Sequence, residues 1–61
     1  MAGENIKNKR QSLQMTQEHV AKESNITLRQ YQRYEQGESV PKVSTAKLIA
    51  QALNSTVEEL F

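Results

Sequence analysis

The sequence predicts an all-α fold, a compact bundle of five helices. Three observations carry that expectation. Helix breakers are scarce, Gly3, Gly37 and Pro41 being the only glycines and proline in 61 residues. Apolar residues recur at spacings of three and four rather than alternating, the period of a helix. Three threonines, Thr16, Thr27 and Thr56, each stand just before such a run, where a hydroxyl can accept from the free N–H groups of a first helical turn.

The first helix is expected over about Asn5 to Leu13, with Ile6 and Leu13 on one face. Lys9 and Arg10 fall on that same side. A lysine can lay its stem along a core and keep its ammonium in water, but Arg10 calls for a partner. Thr16 then caps a second helix, with Glu18 in the first turn against the helix dipole and Val20 and Ala21 facing inward. That helix stops near Ser24, and Asn25 is the best non-glycine candidate for a left-handed C′ position. Ile26 is a core-facing turn residue. Thr27 with Gln30 fits a capping box that opens the third helix, which closes at Gly37. Two helices joined through Asn25 to Thr27 have the spacing of a helix-turn-helix, here about residues 16–36.

Glu38 to Pro41 form a loop. A fourth helix is expected from about Val43 to Leu53, with Val43, Ala46, Ile49, Ala50 and Leu53 on one face, and Asn54 ending it. Thr56 to Glu59 is a second capping box for a last short turn, pinned by Val57, Leu60 and Phe61. With no repeat, linker or low-complexity tract, residues 1–61 read as one domain. A domain of about 60 residues buries only roughly 60% of its unfolded surface, so modest stability is expected.

Composition excludes more than it proves. There is no cysteine, hence no disulfide framework or thiolate zinc site, and the single His19 has no second ligand at metal spacing. Ser12, Ser24, Ser39 and Ser44 have no base partner and the chain has no aspartate, so no nucleophile can be assembled and an enzyme is not expected. No signal-peptide core and no membrane span are present, which predicts a cytoplasmic protein. No cofactor and no metal are called for. Net charge is only +1, but Arg29 and Arg33 lie in a segment poor in acids, with Glu58 and Glu59 at the other end. Local asymmetry of this kind matters more for binding than the total.

At about 100° per residue, the third helix divides into two sides. Tyr31 and Tyr34 lie on one, flanked by Gln30 and Glu35; Leu28, Arg29, Gln32, Arg33 and Gln36 lie on the other. The tyrosines read as core residues rather than stacking platforms, either hydroxyl being able to reach a phosphate at the rim. The outward set suits base readout. Arginine can donate twice to guanine, glutamine can pair with adenine, and an apolar group can meet a thymine methyl. The same set would also serve as an ordinary solvated face.

From Ile6 to Phe61 the sequence resembles the phage-repressor and Cro-like (Xre-type) helix-turn-helix domains. The resemblance lies in Thr16-Gln17-Glu18-x-Val20-Ala21, Ile26-Thr27, Tyr34-Glu35-x-Gly37, Pro41, Ile49-Ala50-x-Ala52-Leu53 and Glu58-Glu59-Leu60-Phe61. It implies a lambda-repressor-like fold and sequence-specific double-stranded DNA binding by a transcriptional regulator, a repressor in the first instance. Leu28, Arg29, Gln32 and Arg33 would read bases. Gln17 would bind a phosphate and brace the third helix, and Ser39 and Lys42 would hold the next phosphate. Arg10 and Glu35 would form a partly buried ion pair. Lys7 and Lys9 would either approach the DNA backbone or solvate the first helix.

The sequence departs from the family's pattern at Lys9, where an apolar residue is usual, at His19, where an acid would complete the capping box, and at Gln14 and Asn25, where glycine is common. These departures bear on stability rather than on the reading face. The expected partner is a pseudo-palindromic operator bound by a homodimer, with Val57, Leu60 and Phe61 as candidate dimer contacts or as closure of the monomer core. A second reading is a protein-interaction module, such as an antitoxin or a regulator controlled by a small partner protein.

Overall fold

A computed structural model describes residues 2–61 and holds, among them, five α-helices and no strand. These are α1 (Ala2–Ser12), α2 (Gln17–Glu23), α3 (Leu28–Glu35), α4 (Val43–Ala52) and α5 (Val57–Leu60). Met1, part of the expected domain, lies outside the described residues. Contacts run in a closed ring: α1 against α3, α3 against α2, α2 against α4, α4 against α5, and α5 back against α1. Every helix therefore contributes to one core, built from Ile6, Val20, Ala21, Tyr31, Tyr34, Ile49, Ala50, Leu53 and Leu60.

Local chemistry sets the helix starts. The Thr16, Thr27 and Thr56 hydroxyls accept from the backbone N–H groups of His19, Gln30 and Glu59 at 3.0, 3.1 and 3.2 Å. Only half of each expected capping box forms. The Gln30 amide turns to the Tyr34 hydroxyl (3.0 Å), and the Glu59 carboxylate accepts from Ser55 (3.1 Å), so neither reaches back to its cap residue.

Helix ends follow one pattern. Gln14, Asn25, Gly37 and Asn54 adopt left-handed φ angles of 58°, 57°, 77° and 52°. After each, the next residue's N–H bonds back to a carbonyl five residues earlier: Met15 to Arg10, Ile26 to Ala21, Glu38 to Arg33 and Ser55 to Ala50. These are Schellman closures, which occupy carbonyls that the helix itself leaves free.

Two expectations are corrected. The first helix starts three residues before Asn5, at Ala2, and ends at Ser12. Gly3 is not a breaker but a point of close approach: a Cβ there would lie 2.6 Å from the Glu35 carbonyl oxygen and 2.7 Å from that of Tyr34. The absence of a side chain lets α1 rest on the C-terminal end of α3. Val43, expected inward, is 69% exposed. It heads α4 at the edge of the apolar face, beyond the cover of a neighbouring element, while Thr45 is buried instead.

Candidate nucleic-acid interface

The two sides of α3 separate as the sequence predicts. Tyr31, Tyr34 and Glu35 are buried, while Leu28, Arg29, Arg33 and Gln36 are exposed and Gln32 is half-buried. Arg29, Gln32, Arg33 and Gln36 line an open, polar cleft of about 490 Å³, and Glu38 completes its edge. A second polar cleft holds Thr27, Arg29, Gln30 and Arg33. The two arginines thus form a ridge between two hollows.

A hydrogen-bonded chain supports this face from below. Arg10 donates from Nε to Glu35 Oε2 at 2.7 Å and from Nη2 to Oε1 at 3.3 Å, and its Nη1 donates to the Met15 carbonyl at 2.9 Å. Gln17 Nε2 donates to Glu35 Oε1 at 3.0 Å, and Gln32 Nε2 donates to Gln17 Oε1 at 3.1 Å. The carboxylate fixes the direction of the whole chain, because an ionised carboxylate only accepts. Gln17 must turn its amide nitrogen toward Glu35, so its oxygen faces Gln32. Gln32 must then present nitrogen to Gln17, which leaves its own Oε1 and one N–H without a partner in the domain. Gln17 also keeps one unused N–H.

The Arg10 and Glu35 side chains are 12% and 3% exposed, so this ion pair is sheltered from water. The hydrogen bond that Arg10 donates to Glu35 raises the Arg10 pKa against the opposing effect of burial. Burial pushes the Glu35 carboxyl up, but the hydrogen bond from Arg10, with further help from that of Gln17, leaves its pKa below the ordinary value. Tyr31 is fully buried beside the pair, and its hydroxyl makes no well-formed hydrogen bond. Burial first, then the Glu35 charge, hold its proton well past the usual phenol range. The expectation that this hydroxyl could reach a rim phosphate is therefore corrected. The Tyr34 hydroxyl accepts from Gln30 and keeps its own proton to donate, so the same expectation is not overturned for Tyr34.

The remaining expected site residues lie on the loop and at the start of α4. Ser39 is half-buried, beside Val40 and Pro41 in a small apolar hollow. Lys42 is exposed and is the N-cap residue of α4, with no side chain capping that helix. At the C-terminus Leu60 is 3% exposed and belongs to the core, while Val57 and Phe61 are half-buried against it. Of the two roles open to these residues, closing the monomer core is the one Leu60 occupies. Glu38 was not singled out in the sequence. The signal was present: with Gly37 at C′, residue 38 must fold back toward residue 33.

No group of three or more potential metal ligands exists among the described residues, and no helix is long and apolar enough to cross a membrane. A helix-turn-helix family model matches residues 6–60. The cryptic phage CTXphi transcriptional repressor RstR of Vibrio cholerae serotype O1 is 37% identical over 57 residues, covering 93% of this chain. The chain spans about half the length of that relative, 51%. No solved structure matches the chain significantly. With the capped helix pair, the tight turn at Asn25 and the family match over nearly its whole length, the chain belongs to the helix-turn-helix family, of the phage-repressor and Cro-like type, as a DNA-binding regulatory domain.

Proposed function

We propose that this domain represses transcription by sequence-specific binding of double-stranded DNA, with α3 in the major groove. The observation that carries the reading is the outward face of α3, which has two arginines and no acid, supported from behind by the Arg10–Glu35–Gln17–Gln32 chain. Leu28, Arg29, Gln32 and Arg33 read base edges. The free Oε1 and N–H of Gln32 suit the acceptor–donor pattern of adenine, and the arginine forks suit guanine. Gln17, Ser39 and Lys42 contact phosphates and set the register. The uncapped N-terminus of α4 adds N–H groups and a favourable dipole beside Lys42.

An eight-residue recognition helix is about 12 Å long and covers few base pairs. A single module of this size buries roughly 600–1,000 Å² on DNA. Useful affinity therefore calls for two copies on a pseudo-palindromic operator, with half-sites about 10–10.5 bp or a multiple apart. Such a repressor acts in the bacterial cytoplasm, where the DNA is.

Selection of bound duplexes from a random library at near-physiological salt tests the reading. An enriched two-fold motif is expected, with affinity falling on a log–log salt plot by about 0.9 per phosphate neutralised. A folded protein that enriches no sequence would overturn it, and would move the partner-binding reading ahead.

A further inference from the structure

The four Schellman turns share a backbone but differ in the side chains they bring together. In this motif the residue after the left-handed position frequently makes an apolar contact with the side chain whose carbonyl it bonds, so the backbone brings those two positions close. The pairs are Arg10 with Met15, Ala21 with Ile26, Arg33 with Glu38 and Ala50 with Ser55. Only the pair at the end of α3 is oppositely charged, and it is the pair at the reading face.

The geometry there is fixed by backbone bonds. Gly37, at φ 77°, donates to the Tyr34 carbonyl at 3.2 Å, and Glu38 donates to the Arg33 carbonyl at 3.0 Å. Glu38 and Arg33 line one cleft. Two unfavourable features surround them. A carboxylate just past a helix C-terminus meets the negative end of the dipole, and Arg29 and Arg33, four residues apart, repel each other. A guanidinium held beside Glu38 offsets both. The only ion pair among the described residues is nevertheless Arg10–Glu35, so Arg33 is not locked onto Glu38 in the free domain. Its guanidinium has five N–H donors, of which a guanine takes two.

We infer that Glu38 is a positioning residue for base recognition: its carboxylate, held by the closing turn of α3, takes spare N–H groups of Arg33 while Arg33 presents two others to a guanine. The inference rests on the proposal that Arg33 reads a base. Its consequence is selectivity more than affinity. A lone arginine can swing to a phosphate or a neighbouring base, whereas one held from the side keeps its fork in the plane of a single base pair.

The test uses the whole 61-residue chain with Glu38→Gln, alone and combined with Arg33→Ala, on duplexes carrying each base at each operator position. Glu38→Gln should lower discrimination about three- to tenfold at the one half-site position that Arg33→Ala flattens, and nowhere else. In the Arg33→Ala background it should change that position no further. Glu38→Asp, which keeps the charge at shorter reach, should restore part of the loss.

If Glu38→Gln instead tightens every duplex equally and leaves base preference intact, Glu38 only repels phosphate and the inference is wrong. It is equally wrong if Glu38→Gln costs the same discrimination without Arg33, since Glu38 would then act on something else. Should Arg33→Ala leave every base preference untouched, the reading role of Arg33 has failed first and this inference falls with it. Thermal melting checks that Glu38→Gln stays folded; the turn is held by main-chain bonds, so no loss is expected.

Discussion

The inner and outer sides of α3 are made of similar chemistry put to opposite uses. Both carry hydrogen-bonding groups and charge: Tyr31, Tyr34 and Glu35 inside, Arg29, Gln32 and Arg33 outside. Inside, almost every polar group has a partner within the domain, the Tyr31 hydroxyl being an exception. Outside, the arginines have none and Gln32 keeps half its amide free. A satisfied polar group adds to stability and specifies one packing, whereas an unsatisfied exposed one is available to a ligand. Substitutions on the two sides should therefore be read by different measurements.

The largest effect is expected on the inner side. Glu35→Ala leaves the sheltered Arg10 without its carboxylate and also frees Gln17, which should cost about 3–5 kcal/mol in urea unfolding. In a domain this small that leaves little folded protein. The pH dependence has a definite sign. The Glu35 pKa is lower folded than unfolded, so its contribution is present above the unfolded carboxylate value and is lost as pH falls through the lower, folded one. Acid unfolding of the parent domain below about pH 4.5 should largely vanish from the Glu35→Gln variant if this group dominates it. An unchanged acid transition would mean that other carboxylates govern it.

Next comes Gly3→Ala. The added methyl would meet main-chain oxygens of α3, which cannot swing aside, so about 1–3 kcal/mol of destabilisation is expected by thermal melting. An unchanged melting temperature would show that α1 can lift from α3 at little cost.

On the outer side the expected change lies in binding alone. Arg33→Ala should relax preference at one position per half-site by roughly 1–3 kcal/mol, while melting within about 0.5 kcal/mol of the parent. Lys42→Ala should weaken all duplexes about equally and flatten the salt slope by about one unit. Identical behaviour of the two would erase the division between readers and positioners. The smallest effect belongs to Gln14→Gly. At φ 58° a glutamine is strained and a glycine is not, so a gain of about 0.5–1 kcal/mol is expected, with no change in binding.

What could be read from the sequence follows the range of the forces involved. The three threonine caps and the turns at Asn25 and Gly37 depend on chemistry within a few residues, and each is found where the sequence places it. The Arg10–Glu35 pair spans 25 positions and came from the family resemblance rather than from spacing. Gly3 was misread because its reason is tertiary: glycine in isolation suggests a break, and only the presence of α3 turns it into a contact. Val43 fits the helical period, yet periodicity says which way a residue points and not whether anything covers it. The direction of the Gln17 and Gln32 amides was beyond sequence, since it follows from the acceptor-only carboxylate at the root of their chain.

The Schellman turns also bear on how such a domain can diverge. Because main-chain bonds close α3, the exposed side chain at position 38 carries no packing duty, unlike Met15 and Ile26, which pack against the core at the same place in their own turns. Residue 38 can change its charge, length or shape while α3 keeps its end and its orientation. The domain thus carries, at the edge of its proposed reading face, a position where new binding preferences can be tried without first being made compatible with folding.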